Sequence, residues 1–493
     1  MIGHPIIEEN RFGPFGGQTT VVTQEQIEDL NATDVASALR RTPGVTISRF
    51  NPVGSFGGAE GGALFIRGLG SARPGAEIKT FIDGVPFYMG VWNHPLLDLL
   101  PINGMASIDV LKGPQPDVVG NTLASVNLTT RSAPAQGAAG NLMLQGGSFG
   151  TFIQQFNAGG RSGDWSGLVA QGYQSSNGDR ESADGRLANL LAKGAVALAP
   201  GWTAGVTVLG VDNSVDDPGP EGMPQLRNGT YETTGTLVIA SLEQQNATGS
   251  AALRLYYSGG EGNWLRQAGT AGNTLTDWDS WGARARGQWA PWSGGELLAG
   301  IDYDSWSGNA QFEPTKARAS TFSGPTFQLL SPYLGVAQTL GWGGFSIVPA
   351  AGLRYYDHNE FSAEWAPYAG LKVGKDGYFV QAGYARGVNY PGLDVVVFSS
   401  NIIPPLGQSW RNLAAETSDH YQIGVGYAAG RLAADLVYFT DRISNRYVFV
   451  PPPPPPPTYT NRGSQDTDGV EATLRYEFSP AASVFVGATW LNG

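Results

Sequence analysis

The chain has 493 residues, among them 70 Gly, 13 Trp, 19 Tyr and no Cys, and carries a formal charge of −12 from 30 Lys+Arg against 42 Asp+Glu. That much glycine excludes a helical bundle, since each interior Gly costs a helix about 1 kcal/mol relative to Ala, and 15% charged residues are too few for a disordered acidic chain. Zero Cys excludes a disulfide scaffold, a thiolate metal site and a Cys nucleophile; with no basic stripe, nucleic acid is not an expected partner.

No stretch reaches the ~18 apolar residues of a membrane-spanning helix. The opening MIGHPIIEENRFGPFGG has no basic segment followed by a long apolar run, so no signal peptide is visible. From about residue 20 the text reads as a compact α/β unit. Thr23 and Gln26 have capping-box spacing and predict a short helix to about Leu30. A second helix is predicted over Thr33–Arg41, with Val35, Ala38 and Leu39 on its apolar stripe, and Thr42-Pro43-Gly44 stops it. Strands follow at 45–49, 63–67, 78–82, 108–111 and 125–130, with a Gly-rich loop at 54–62 and Asp83-Gly84 as the type I′ pair of a tight hairpin.

After about Ala139 the pattern changes to segments of roughly ten residues with alternating polarity, the signature of a membrane β-barrel. Trp365, Pro367, Ala369, Leu371 and Val373 share one face; so do Tyr421, Ile423, Val425 and Tyr427, then Val470, Ala472, Leu474 and Tyr476, and also Ala251, Leu253, Leu255 and Tyr257. A soluble sandwich also alternates, so connection lengths decide. Tight turns at 160–164, 199–201, 290–295, 341–344, 374–377, 428–430 and 479–482 contrast with long links at 175–186, 213–232, 258–278, 307–325, 387–418 and 445–467. Short links at one end and long ones at the other are the asymmetry of outer-membrane barrels. Trp165, Trp202, Trp289, Trp292, Trp306, Trp342 and Tyr378 suit interfacial girdles. About 16 or 17 strands are expected from Ala139, the last beginning near Ser483.

Several segments in order resemble the TonB-dependent outer-membrane receptors: ALRRTPGVTISR (38–49), FIRGLG (65–70), FIDGVPF (81–87), SIDVLKGPQPDVVGNTLASVNLTTRSAP (107–134), AETSDHYQIGVGY (415–427), YFTDRISN (438–445) and DGVEATLRY (468–476). The resemblance implies a mainly β protein of the Gram-negative outer membrane: an N-terminal extension (1–19), a plug (20–134) in the lumen, and a large antiparallel transmembrane β-barrel (135–493). The family's barrel has 22 strands, so the resemblance implies a chain truncated at its C-terminus. It also implies import of a scarce nutrient, a small-molecule metal chelate, with a ferric siderophore first and cobalamin, haem, another metal complex or a glycan behind it. Partners would be the TonB–ExbB–ExbD energy-coupling complex and outer-membrane lipid and lipopolysaccharide. No intrinsic cofactor is expected, any iron or other metal arriving as part of the imported ligand. No TonB box is visible before Phe12, and a substitute would lie near Ile6–Glu9.

The plug signature comprises Arg67, Gly68, Asp83, Gly84, Lys112, Gly113, Pro114 and Gly120. Arg67 and Lys112 are read as holding the plug by charge-assisted bonds to a wall carboxylate among Glu364, Glu416 and Glu471, with an ion pair internal to the plug as the alternative. The ligand cup is expected at the long-loop end. From the plug come Arg49 and Phe50 on one loop and Phe87, Tyr88, Trp92 and His94 on another; from the barrel come Trp278, Trp281, Tyr390 and Trp410, on or beside long loops, and His358, placed to meet ligand from above. Aromatic faces and one guanidinium suit a bulky anionic chelate; the alternative is structural packing against the wall. By the resemblance, the absence of His from 394 to 411 argues against haem.

Seven prolines, 451–457, predict polyproline II on a loop. A passive pore is disfavoured by a plug that would block it. An enzyme using Asp277 and Asp279 has no acid/base asymmetry and no supporting motif.

Overall fold

The computed structural model describes residues 9–49, 52–54, 61–70, 77–223, 229–451, 457–479 and 482–493. At the N-terminal side, local chemistry fixes two short helices. The Thr23 hydroxyl accepts the Gln26 N–H while the Gln26 side chain accepts the Thr23 N–H at 2.6 Å, starting the helix Gln24–Asp29. Asp34 and Ser37 repeat the exchange ahead of Val35–Leu39. That cap explains why the second helix is shorter than the predicted 33–41: Asp34 has extended backbone and sets the first helical residue behind it.

A six-stranded sheet runs Glu9–Phe12, Gln18–Thr23, Met105–Leu111, Ala124–Thr130, Ile78–Ile82, Val85–Pro86 in spatial order. Residues 9–19, read from sequence as an extension, thus supply its first strand and the start of its second. Asp83 and Gly84 both have positive φ, 50° and 77°, in the predicted hairpin. The Asp83 carboxylate accepts the Thr130 N–H at 2.9 Å and hydroxyl at 2.7 Å, closing the plug's own sheet.

The second sheet has 19 strands in sequential antiparallel order. Ser320–Ser323 and Leu340–Trp342 are short side pieces, which leaves seventeen passes, in line with the alternation count. Among the described residues, the end strands Gly137–Gly146 and Ala482–Asn492 do not pair with each other. All four faces read from sequence point as expected: Leu255, Trp365, Leu371, Tyr421, Ile423 and Leu474 are exposed on the outer wall, while Tyr256, Tyr368, His420, Gln422 and Glu471 are buried inside. An outward apolar row with inward polar residues is what a hydrocarbon surround selects, because only a ladder that satisfies its own backbone groups can span it.

The short turns fall together at one end, including one at Ala247-Thr248 that the sequence reading missed. The long links are shorter than expected. Strands Gly249–Gln267 and Gly272–Trp289 stay paired up to Gln267↔Gly272, so 258–278 is a hairpin arm and not a loop. Alternation reports lipid contact and ends where Glu261, Asp277 and Asp279 begin, whereas ladder hydrogen bonds continue into water. Of the seven girdle aromatics, Trp165, Trp202, Trp289, Trp292, Trp342 and Tyr378 are exposed at the short-turn end, but Trp306 is 5% exposed and points into the lumen. Tyr257, Trp281, Trp365 and Tyr421 form the matching exposed belt nearer the long loops.

The first domain sits inside the second. One device permitting this is at Gly16 (φ 87°), where a Cβ would fall 2.5 Å from the Gly383 Cα on the wall. Phe12 beside Phe379 and Phe15 edge-on to Tyr368 flank that crossing, at ring distances of 5.4 and 5.3 Å.

Candidate functional site

The deepest plug–wall contact is built on Glu471, in the strand Thr458–Ser479, whose register aims it into the lumen. Lys112, just past the plug strand Met105–Leu111, donates to Glu471 Oε1 at 2.5 Å. Arg67, in the turn after Gly61–Ile66 with φ 51°, donates to Glu471 Oε2 at 3.2 Å and to Gln18 Oε1 at 2.6 Å. Gln18 in turn donates to Glu471 Oε1 at 2.9 Å. The Arg67 guanidinium also lies 3.9 Å over the Phe439 ring. All three charged side chains have no exposed surface. A carboxylate bearing two cations and an amide is satisfied on both oxygens, which makes so dry a charge cluster tolerable.

Of the three wall carboxylates named from sequence, Glu471 takes both plug cations. Glu416 instead accepts from Asn389 at 3.2 Å and from the Tyr447 N–H at 3.2 Å. Glu364 takes neither cation and is partly exposed at the start of Glu364–Lys375. A second link to the same wall joins Glu77 of the plug to Arg446, while Glu77 Oε2 accepts the Gly70 N–H at 2.7 Å.

The KGPQPDVVG turn is gripped from the adjoining wall. Arg354 donates to the Pro116 carbonyl and to Asp302, each at 2.7 Å, and Arg286 donates to the Asp117 carbonyl. Gly120 leaves room for this grip, since a Cβ would lie 2.5 Å from the Arg354 guanidinium and displace it. Gly113 faces the His420 ring and Pro114 packs at Gly387. Gly68 and Gly84 have φ of 82° and 77° in their turns.

Across the lumen the plug meets neutral amides. Gln155 and Gln174 both donate to the Thr33 carbonyl, at 2.8 and 2.7 Å, and Asn189 donates to the Leu99 carbonyl at 3.0 Å. Asn103 of the plug donates to the Phe156 carbonyl at 2.8 Å.

Some of the residues expected in the cup pack against one another and others stand apart. His358, Tyr390 and Trp410 do meet. His358 lies 4.9 Å from both Tyr390 and Phe361 and 5.2 Å from Phe327, and Trp410 packs on Phe327 and Phe361. Trp306, assigned from sequence to the lipid belt, joins this cluster 5.6 Å from His358. Trp92 packs edge-on against Phe312 and Phe398 and donates to Thr276 at 3.1 Å. Phe87 is fully buried beside Trp278, and neither stands on an open surface. Trp278 is on a strand, facing inward, and Trp281 faces outward on the same strand; the loop placement expected for both is corrected by the extended hairpin.

His94 is half-buried with Nδ1 3.3 Å from the Tyr231 hydroxyl, and burial lowers its pKa to about 4. Tyr88 lies beside the buried Lys79, 5.6 Å from ring centre to ammonium; burial pushes the phenol up and the lysine down to about 7. Arg49 ends the strand Val45–Arg49, and Phe50 lies outside the described residues, as do Ile6–Glu8 of the coupling-segment expectation and 452–456 of the proline run. Among the described residues no cluster of three or more His, Asp or Glu could hold a metal ion.

Sequence reading also missed Lys79, Asn93, Arg286, Asp302 and Arg354. Asn93 carried a local signal, being an Asn at φ 54° in the Trp92–His94 loop. The lumen arginines carried none, because an inward charge on an alternating strand looks the same whether it meets water or a plug.

Two family models match this architecture. The TonB-dependent Receptor Plug Domain covers residues 15–126, and the TonB dependent receptor-like beta-barrel covers residues 165–493. The chain belongs to the TonB-dependent receptors, whose barrel fold is that of the Gram-negative outer membrane.

Its fold is similar to that of the ferric enterobactin receptor PfeA of Pseudomonas aeruginosa (a Q482A mutant in complex with enterobactin). The TM-score is 0.75 at 17% identity, over 96% of this chain and 81% of that one. The ferric yersiniabactin uptake receptor FyuA of Yersinia pestis matches with a TM-score of 0.75 at 16% identity, over 96% and 78%. The FrpB iron transporter of Neisseria meningitidis (F3-3 variant) matches with 0.76 at 14% identity, over 98% and 80%.

Proposed function

We propose that the protein captures a ferric siderophore at the long-loop, external end of an outer-membrane barrel and admits it when the plug is displaced by TonB–ExbB–ExbD. The observation that carries this reading is a folded plug seated inside a lipid-facing barrel and fastened by Arg67 and Lys112 to Glu471. A permanently open pore has no use for such a stopper. A stopper fastened by a limited set of specific contacts, with two of its cations on one carboxylate, is in contrast firm at rest and releasable.

Ferric chelates as the cargo are supported by the neighbours, which are named as receptors for ferric enterobactin and ferric yersiniabactin. Aromatic residues on both plug and wall at the external end also suit a bulky chelate with an apolar rim. The outer belts and apolar band would sit in outer-membrane lipid and lipopolysaccharide.

The test is uptake of radioactive iron by iron-starved cells expressing the full-length protein, supplied with ferric enterobactin or ferric yersiniabactin. Accumulation that depends on both this protein and a working energy-coupling complex is expected. No accumulation with either chelate, or accumulation unaffected by loss of the coupling complex, would contradict the proposal.

A further inference from the structure

Two segments of the plug bring their side chains to Glu471, and one wall histidine touches both segments. His420 faces inward on the strand Glu416–Ala429 and is 5% exposed. Its Nδ1 is 2.8 Å from Asp441 Oδ1, on the adjoining strand Leu432–Val450, and its Nε2 is 3.3 Å from Gln422 Oε1. The Gln422 amide nitrogen donates to the Gly16 carbonyl of the plug. In front of the ring stands Gly113, where a Cβ would fall 3.0 Å from His420 Cε1 and Nε2.

Donors and acceptors in this group follow from what each partner is able to do. A carbonyl only accepts, so the Gln422 amide turns its NH2 to Gly16 and its oxygen to the ring. His420 Nε2 therefore donates. A carboxylate also only accepts, so Nδ1 donates to Asp441. The ring carries a hydrogen on each nitrogen, and its charge faces a carboxylate in a residue that is 1% exposed. The other donor to that carboxylate among the described residues is the Ser418 hydroxyl at 3.3 Å, and Asp441 Oδ2 has no partner there. The imidazolium is thus what balances the buried charge.

The two plug segments lie on either side of this ring. Gly16 and Gly17 run directly into Gln18, and Gly113 directly follows Lys112; Gln18 and Lys112 both donate to Glu471. Where the segments meet, the Lys112 N–H and the Gln115 amide donate to the Gln18 carbonyl, at 3.2 and 2.9 Å. The first segment is pressed onto wall backbone. A Cβ at Gly370 would lie 2.3 Å from the Pro14 carbonyl oxygen, and one at Gly383 would lie 2.6 Å from that of Gly16.

We propose that His420 is a positioning residue for the seated plug, a clasp that holds the Gly16 carbonyl through Gln422 and the Lys112–Pro114 turn against its ring face, so that Gln18 and Lys112 both reach Glu471. With its two hydrogens committed to Asp441 and Gln422, the ring locks the Gln422 amide in the one orientation that serves Gly16. Drawing residues 9–17 off the wall removes the acceptor from Gln422 and frees amide and ring together, which loosens the support beside Lys112. That use of the clasp rests on the plug displacement proposed above; the clasp itself does not.

The chain has no native cysteine, so a single reporter is read without background. Gly13→Cys suits this role, since a Cβ there meets the Gly17 carbonyl oxygen at an ordinary 3.8 Å. The full-length protein in detergent micelles is labelled with a maleimide. His420→Phe keeps a ring against Gly113 but cannot donate, and is expected to quicken labelling about ten-fold. Gln422→Ala is expected to do the same and the double variant no more, because all three break one chain of bonds. Labelling unchanged by His420→Phe would overturn the clasp, as would effects of the two variants that multiply.

Nitrogen-15 spectra of His420 read the hydrogen assignment directly. Two protonated ring nitrogens are expected in the parent and one in Asp441→Asn; a single protonated nitrogen in the parent would overturn the double donation. Neither measurement uses a ligand or the coupling complex, so failed uptake would count against the proposed function and leave the clasp to be decided by labelling.

Discussion

Two walls of the same barrel hold the same plug by different chemistry. The wall running through Glu416, Arg446 and Glu471 uses buried charge, with Arg67 and Lys112 sharing one carboxylate and Glu77 pairing with Arg446. The wall running through Gln155, Gln174 and Asn189 uses chiefly neutral amides on backbone carbonyls, with the Lys193 ammonium donating to the Thr130 hydroxyl at 2.8 Å and no ion pair to the plug among the described residues. A dry charge cluster is all or nothing, since removing one member leaves the others buried and unmatched. An amide bond to a carbonyl has a modest net worth and is easily exchanged for water. The difference sets an expectation for the proposed plug displacement: the plug is expected to part from the amide wall before the charged wall.

The sharpest way to break that comparison is Glu471→Ala. With Arg67 and Lys112 left in a dry lumen, the plug is expected to lose about 3–5 kcal/mol of its seating, read as faster protease cleavage in the plug. If cleavage is unchanged, the charged wall is not the pin.

Acid gives the next largest effect and acts on a third, neutral contact. Burial lowers the pKa of His94, beside Tyr231, from 6.5 to about 4. Between those values the folded plug binds fewer protons than the unfolded chain, so stability is complete above pH 6.5 and falls as pH drops toward 4. The loss is at most ~3 kcal/mol, and His94→Gln should flatten the pH dependence of plug melting in that window. An unaltered pH profile would remove His94 from the account.

The smallest effect belongs to the amide wall. Gln155→Ala and Gln174→Ala are expected to cost about 1 kcal/mol each, or less in combination because both donate to the Thr33 carbonyl. A loss as large as that of Glu471→Ala would erase the distinction between the walls.

What the sequence made legible follows the same division. Outer faces were readable because lipid selects apolar side chains strand after strand, and Leu255, Ile423 and Leu474 lie where their alternation put them. Arg67 and Lys112 were readable because each precedes a turn glycine in a recognisable plug segment, though which of three carboxylates receives them depended on register. Trp306 and Trp278 were misplaced for one reason: a Trp near a predicted strand end carries no mark of which way it faces once the strand runs on past the membrane. The fold of 390–415 back into the mouth was invisible. Its valines and leucines bury themselves against plug and wall residues far away in the chain, and nothing local in PGLDVVVFSS announces that destination.

Hydrogen exchange of the plug strands Met105–Leu111 and Ala124–Thr130, compared between Glu471→Ala and the Gln155→Ala/Gln174→Ala pair in the full-length protein, tests the two-wall account most directly. Exchange is predicted to quicken strongly in the first variant and hardly at all in the second. Equal acceleration in both, or acceleration confined to the amide-wall variant, would contradict a plug pinned by charge on one side and free to slip on the other.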